Sequence, residues 1–128
     1  MTASQRALDL LAIAARAADT KGGEDLVALD VSVPTPFADV FLLATGSTER
    51  NVSAIADAVE EALAEHDVHA ARREGRDHAR WILLDFGDLV VHVFHREDRL
   101  YYGLERLWLD CPPIAVAPLL DAAERPGE

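Results

Sequence analysis

The sequence predicts a single α/β domain of the α+β kind, built on a mixed five-stranded sheet with helices on both faces. Its 128 residues are enough to enclose one hydrophobic core but not two. Half of them are hydrophobic and 27% are charged, which is typical of a globular protein. The spacing of apolar residues follows the order α-β-β-α-β-β-β-α, with neither a repeat nor a long linker.

The first three predicted elements are a helix and two strands. Ser4 can cap the helix, whose apolar residues recur at helical spacing until the glycines at residues 22–23. Residues 26–31 and 38–46 are typical of strands, and the prolines of the segment VPTP separate them. The second strand is apolar on both faces, which predicts a central position in the sheet with cover on both sides.

A second helix and a third strand follow. Gly46 and Ser47 turn the chain into the helix, whose apolar stripe predicts that one side of it packs on the sheet. That stripe consists of Val52, Ile55, Ala56, Val59 and Leu63. The third strand, residues 68–74, is more polar and leads to Gly75 and a charged loop.

Residues 81–94 predict a β-hairpin in which both faces are apolar. Phe86 and Gly87 form its turn, so that Leu84 is expected opposite Leu89. Because side chains alternate along a strand, the hairpin divides into two sets. One face carries Trp81, Leu83, Val90, His92 and Phe94, and the other carries Ile82, Leu84, Leu89, Val91 and Val93.

The last predicted helix covers residues 96–108 and ends before Pro112 and Pro113. Its two tyrosines, its tryptophan and its arginines are residue types enriched in binding hot spots. Packing of the same aromatic side chains on the sheet is an equally open alternative. The domain is expected to span residues 1–113, followed by a loosely ordered tail at 114–128 with at most one short turn of helix.

The net charge and the cysteine content indicate which kinds of partner the protein can bind and in which compartment it is found. A net charge of −11 repels phosphates, which argues against direct binding of nucleic acid. If the charge is functional, a basic protein surface is the natural partner; the alternative is that the charge only keeps the protein soluble. Cys111 is the single cysteine, in keeping with a reducing compartment. The sequence has neither a secretory leader pattern nor an apolar run long enough to span a membrane, so it predicts a cytoplasmic protein.

Two short patterns suggest metal or kinase chemistry but lack what that chemistry needs. The letters DFG at residues 85–87 occur without a glycine-rich loop, a strand lysine or a catalytic loop, and therefore indicate a hairpin turn. His92 and His95 are three apart, so a regular strand directs them to opposite faces. We expect no metal site, and His92 beside Trp81 is interpreted as a packed or interface histidine.

The segment ATGSTERN at residues 44–51 resembles the Gly-Ser turn of nucleotidyltransferases. A strand that ends in Gly-Ser before a helix can also bind an anion through free amides. Nucleotidyltransferases require two carboxylates on a following strand to hold magnesium. Here the available pair, Asp57 and Glu60, lies within the predicted helix, so a helix cap is the preferred interpretation and a degenerate nucleotide-binding protein is the alternative.

Several motifs together resemble the ribosomal silencing factor family, also called Iojap-like. They are LDVS at 29–32, ADVFLLATG at 38–46, REG at 73–75, W-x-L-L-D-F-G-D-x-V-V-H-V-F at 81–94 and R-x-Y-Y-x-L-E-R-L-W at 99–108. They occur in the family's order from about residue 4 to Pro112. The chain departs from the common pattern at Phe86, where tyrosine is usual, and near Pro34.

The resemblance implies a translational repressor and not an enzyme. Members of the family bind the basic protein L-fourteen on the large ribosomal subunit, block its joining with the small subunit and so reduce translation when nutrients are short. Their fold is similar to a nucleotidyltransferase that has lost its active site, and they often form homodimers off the ribosome. No cofactor is implied.

The resemblance also implies a set of partner-binding residues on this chain. Two of them belong to the predicted hairpin strands, one to its turn and five to the last helix. They are Trp81, Asp85, His92, Arg99, Tyr101, Tyr102, Glu105 and Trp108.

Overall fold

The computed structural model describes residues 3–33, 38–98 and 111–123 of the chain, and these residues form three helices and six strands. In chain order they are α1 (Gln5–Thr20), β1 (Glu24–Asp30), β2 (Val40–Gly46), α2 (Glu49–Ala64), β3 (Arg72–Glu74), β4 (Trp81–Asp85), β5 (Leu89–His95), β6 (Pro113–Ile114) and α3 (Ala117–Ala123). The predicted mixed α+β domain is confirmed.

The strands make one sheet in the order β3-β4-β5-β2-β1-β6. β2 and β5 pair in parallel, whereas the other neighbours are antiparallel, so the sheet is mixed as predicted. β2 lies between β5 and β1, which confirms its expected central position. The third strand is shorter than expected, because residues 68–71 form a connection in which Val68 packs into the core.

The sixth strand begins at Pro113, the last residue of the predicted domain, and continues into Ile114, the first residue of the predicted loose tail. Ile114 pairs with Ala28 at the edge of the sheet, and the backbone amide of Asp30 donates to the carbonyl of Pro112. The α3 helix follows, and the Arg16 guanidinium donates to the Leu119 carbonyl at 3.0 Å. The apolar residues of this short segment are too few to form a core of their own, and they become ordered by packing on α1 and β1.

The helices begin at side-chain caps. Ser4 accepts a hydrogen bond from the amide of Ala7 at the start of α1, as its place in the sequence predicts. Thr48 caps α2 by accepting from the amide of Asn51 at 3.0 Å. These caps fix where α1 and α2 start, and the apolar stripe of each helix determines which of its sides packs on the sheet.

All three described helices contribute to one hydrophobic cluster on a single face of the sheet, which we call the helix face. Its members from the strands alternate with residues of the opposite face. They include Ala28, Val40, Leu42, Ala44, Ile82, Leu84, Leu89, Val91 and Val93, packed against Leu11 of α1 and the Val52, Ile55, Ala56, Val59 and Leu63 stripe of α2. The last predicted helix starts at residues 96–98, which are helical, and its remainder lies outside the described residues.

The β4–β5 hairpin differs from its predicted register by two residues. Leu84 lies opposite Val91 and Trp81 opposite Phe94, so the turn is centred on Gly87 and Asp88. Gly87 has a φ of +89°, and the Phe86 amide donates to the Leu89 carbonyl to close the turn. The Phe86 side chain is buried, which moves the turn one position along the chain. A shift of two leaves the two predicted faces unchanged.

Candidate partner-binding surface

The sheet face opposite the described helices carries a second, smaller cluster, which we call the outer face. Its buried members are Leu29, Val31, Ala38, Leu43, Val90, Phe94 and Cys111, and its partly buried members are Val27, Phe41, Trp81 and Leu83. The partly buried side chains come from β1, β2 and β4. In the sheet, β1 is next to β2, and β5 lies between β2 and β4. The outer face therefore presents large apolar side chains that its own cluster covers only in part.

Trp81 and His92 lie together at the centre of the outer face. The indole Nε1–H of Trp81 donates to Nδ1 of His92 at 3.2 Å. The indole also stacks on Phe94, with ring centroids 5.2 Å apart and planes inclined by 26°. On the other side, Phe41 meets the imidazole of His92 edge to face at 5.0 Å. The predicted packing of His92 beside Trp81 is thus observed.

Burial keeps His92 uncharged. Only 5% of the residue is exposed, and removal from water lowers the pKa of His92 to about 4. Because Nδ1 accepts the indole hydrogen, the ring proton must be on Nε2. Among the described residues, Nε2 of His92 is a buried polar atom without a hydrogen-bond partner. His92 and Thr45 are the two buried polar side chains in the described chain, and strand alternation places both on the outer face.

Gly75 allows the loop before β4 to approach Trp81 closely. Its φ is +86°, and a Cβ at this position would overlap the Trp81 carbonyl. Beside this contact lies a cavity of about 200 Å³ whose described lining consists of Glu74, Trp81 and Leu83. The glycine of the REG motif therefore contributes to the surface by holding its loop against the tryptophan.

Asp85 lies at the end of β4 opposite to Trp81, and its side chain hydrogen-bonds to the hairpin turn. Its Oδ1 accepts from the backbone amide of Gly87 at 2.8 Å. Four residues of extended chain separate it from Trp81, which corresponds to about 13 Å. Asp85 alternates onto the outer face with Trp81, but the structure does not bring it into contact with the Trp81–His92 pair.

Arg80, the residue before Trp81, pairs with the start of the last predicted helix and also lies 3.7 Å from Glu49 of α2. Its guanidinium donates to both carboxylate oxygens of Asp98, at 2.9 and 3.0 Å. Hydrogen bonds to Asp98 raise the pKa of Arg80 above its ordinary value. Asp98, at the end of the described range 38–98, therefore lies beside Arg80, which immediately precedes Trp81. The predicted binding residues Arg99, Tyr101, Tyr102, Glu105 and Trp108 lie outside the described residues.

Phe41 and Leu83 are part of this surface but were not among its predicted residues. The alternation of β2 and β4 already placed Phe41 and Leu83 on faces that carry apolar side chains. What the sequence alone does not give is the parallel pairing of β2 with β5, which brings Phe41 next to His92. The Arg80–Asp98 ion pair has no sequence signal, because the two residues are 18 apart in the chain.

At the Gly-Ser turn, backbone amides already hydrogen-bond to side chains at the start of α2. The amide of Ser47 donates to Oδ1 of Asn51 at 2.9 Å, and the amide of Asn51 donates to Thr48. Asp57 and Glu60 lie about 15 Å further along the helix and pair with arginines near β3. Arg76 contacts both carboxylates, and Arg73 contacts Glu60. The cap interpretation of this turn agrees with the geometry.

Two further classes of site were searched for within the part of the chain that the structure describes. No group of three or more His, Cys, Asp or Glu side chains in these ranges is arranged to hold a metal ion. None of the described helices is both long enough and apolar enough to cross a membrane.

The chain is similar to known proteins over most of its length. A family model described as "Ribosomal silencing factor during starvation" matches residues 4–128. The ribosomal silencing factor RsfS of Bacillus subtilis is 46% identical over 103 residues, covering 80% of this chain and 87% of that protein. A mouse protein named "Mitochondrial assembly of ribosomal large subunit protein 1" is 25% identical over 91 residues, covering 69% of this chain and 40% of that protein.

Two solved structures share the fold. A crystal structure of a protein from Bacillus halodurans superposes with a TM-score of 0.76 at 41% identity, covering 84% of this chain and 98% of the other. One from Chromobacterium violaceum gives a TM-score of 0.77 at 36% identity, with coverage of 79% and 84%. The family match includes the segment with β6 and α3, so it extends past residue 113. The chain belongs to the ribosomal silencing factor family.

Proposed function

We propose that this protein represses translation by binding the large ribosomal subunit through its basic protein L-fourteen. Seated there, it blocks joining with the small subunit, under conditions of nutrient limitation. The observation that carries the proposal is the family match over residues 4–128. The name of the mouse relative, which refers to the large ribosomal subunit, supports the choice of subunit.

The outer face supports a protein as the partner. Its centre consists of Trp81, Phe41 and Leu83, which are partly buried in the chain itself and can bury more surface against a partner. The net charge of −11 favours approach to a basic protein and opposes contact with RNA phosphates. We therefore propose that affinity comes from aromatic contacts, whereas charge accelerates the encounter.

The proposed binding set keeps the eight residues that the family resemblance implies, and the buried His92 belongs to it through its hydrogen bond to Trp81. Trp81 and His92 form its described centre, and Asp85 lies at its end near the hairpin turn. Arg99, Tyr101, Tyr102, Glu105 and Trp108 extend the set beyond Asp98. We propose that the free protein is a cytoplasmic homodimer and that it needs no cofactor.

Steric exclusion requires no catalysis, and the geometry of the Gly-Ser turn supports a protein without nucleotidyl transfer. The amide of Ser47 already donates to Asn51, and Arg73 and Arg76 already pair with the carboxylates that magnesium would need. We expect no heat of binding when nucleoside triphosphate and magnesium are titrated into the protein. Saturable binding at micromolar nucleotide would favour the nucleotide-binding alternative.

Co-sedimentation with purified large subunits tests the proposed partner. Wild-type protein is expected to pellet with large subunits and not with small subunits. Tyr102→Ala and Glu105→Ala are expected to weaken this binding without unfolding the domain. Glu61→Ala is the charge-matched control for Glu105→Ala, because Glu61 is exposed on α2. Full affinity in both test variants would place the contact elsewhere.

A further inference from the structure

We propose that His92 is a positioning residue, which sets the orientation of the Trp81 indole on the binding surface by accepting its N–H. The inference rests on the proposed function, because it assigns a role within the same surface. It concerns His92 as a buried group that acts through Trp81. His92 itself is 5% exposed and offers a partner almost no area.

The first support is the geometry of the pair. The indole Nε1–H and the His92 Nδ1 are 3.2 Å apart, and the ring planes of the two residues are inclined by 37°. Trp81 also stacks on Phe94, and a stacking contact is less directional than a hydrogen bond. The hydrogen bond fixes one ring atom of the indole relative to His92. It therefore contributes to which edge of the indole remains at the surface.

The second support is that histidine is an unfavourable residue at this position. The other members of β5 from Leu89 to Phe94 are leucine, valine and phenylalanine, and all of them are buried. Burying the imidazole leaves its Nε2–H without a hydrogen-bond partner in the described chain, which costs stability. An aliphatic residue would fill the site without that cost. What histidine adds is an acceptor for the indole N–H.

The third support is the surrounding backbone, which also fixes Trp81. The loop at Gly75 lies against the Trp81 carbonyl, where no side chain would fit. The His95 amide donates to the carbonyl of Arg80, the residue just before Trp81, at 2.8 Å. The backbone of Trp81 is thus held on both sides, and the hydrogen bond to His92 extends this control to the side chain.

The test compares three variants in large-subunit binding. His92→Leu removes the acceptor, and we expect about tenfold weaker binding with an unfolding midpoint close to that of the wild type. His92→Asn retains an acceptor near the position of Nδ1 and is expected to restore most of the affinity. Trp81→Phe removes the donor, and adding His92→Leu to it should weaken binding no further.

A spectroscopic arm follows the indole directly. In ¹H–¹⁵N spectra, the Trp81 indole signal is identified by its loss in Trp81→Phe. We expect slow exchange of this proton with D₂O in the wild type and in His92→Asn, and faster exchange in His92→Leu. A folded His92→Leu variant with wild-type affinity would overturn the proposal, as would unchanged exchange of the indole proton.

The outcomes separate this proposal from the proposed function. If wild-type protein fails to bind large subunits, the proposed function is wrong, and the exchange measurement alone decides whether His92 orients Trp81. If His92→Leu does not fold, large-subunit binding by Trp81→Phe and His92→Asn tests the proposal instead. Wild-type affinity in a folded Trp81→Phe variant would then overturn the positioning role.

Discussion

The two faces of the sheet are built from the same strands but differ in the composition and burial of their side chains. On the helix face, the buried residues contributed by β2, β4 and β5 are aliphatic. Helices α1 and α2 pack against them, and α3 packs on α1. The outer face contains the two buried polar side chains of the described residues, Thr45 and His92, together with half-buried aromatic rings. One face has the composition of a core, whereas the other resembles the centre of an interface.

We infer from this difference that the helix face provides most of the stability, which leaves the outer face as the proposed binding surface. Apolar burial without polar atoms is the arrangement that stabilises a domain most directly. A buried histidine with an unpartnered N–H lowers stability, and such a feature is retained where it supports a site. We therefore expect substitutions on the helix face to change the free energy of unfolding, and substitutions on the outer face to change partner binding.

Leu84 and Leu83 provide the largest expected contrast, because they are adjacent in β4 and point to opposite faces. Leu84 is 0% exposed, so Leu84→Ala should destabilise the domain by about 2–5 kcal/mol in urea unfolding. Leu83 is only partly buried, and Leu83→Ala should cost roughly 1 kcal/mol while weakening large-subunit binding. Equal losses of stability in the two variants would contradict the division between the faces.

The titration of His92 gives a smaller, pH-dependent effect. Its pKa is about 4 in the folded protein and about 6.5 when unfolded, so the unfolded state binds the proton more readily. The free energy of unfolding is thus unaffected above pH 6.5 and falls as the pH drops from 6.5 toward 4. Between pH 7.5 and 5.5 the expected loss is about 1 kcal/mol.

His92→Leu is the matched control for this pH effect. Urea unfolding of the two proteins should show that the variant loses less stability than the wild type over the same interval. Parallel pH profiles would mean that His92 does not carry the effect. The range ends at pH 5.5 because the sequence pI of 4.7 favours association at lower pH.

The smallest effect is expected at the ion pairs between α2 and the region of β3. Glu60 pairs with Arg73 and Arg76 near the surface, and Glu60→Gln should change stability by less than about 1 kcal/mol. Binding to large subunits should not change, because these residues lie away from the outer face. A loss of affinity in Glu60→Gln would show that the functional surface extends around the edge of the sheet.

Local patterns were sufficient to predict most of the fold. Ser4, the glycines at residues 22–23 and the alternation in β4 and β5 each act through neighbours in the chain, so the sequence indicates them directly. The hairpin register was wrong by two, because the choice of turn depends on burial of Phe86, a tertiary contact. The β6 strand was missed for a similar reason, since two residues carry no periodicity and form a strand only by pairing with β1.

The candidate surface was predicted in part. Trp81 and His92 were expected to be neighbours because the predicted register set them opposite each other. In the structure Trp81 lies opposite Phe94, and the hydrogen bond joins Trp81 to His92 diagonally across the two strands. The place of Phe41 beside His92 depends on the parallel pairing of β2 and β5, which the sequence does not specify. The assignment of all eight residues to partner binding remains a prediction.

Subunit joining is the measurement that tests the central claim most directly. Purified large subunits are incubated with saturating protein, small subunits are added, and the fraction of intact ribosomes is measured by sucrose-gradient sedimentation. We expect this fraction to fall as the protein occupies the large subunit, and we expect Trp81→Ala largely to restore joining at the same concentration. Normal joining at full occupancy of the large subunit would contradict steric exclusion.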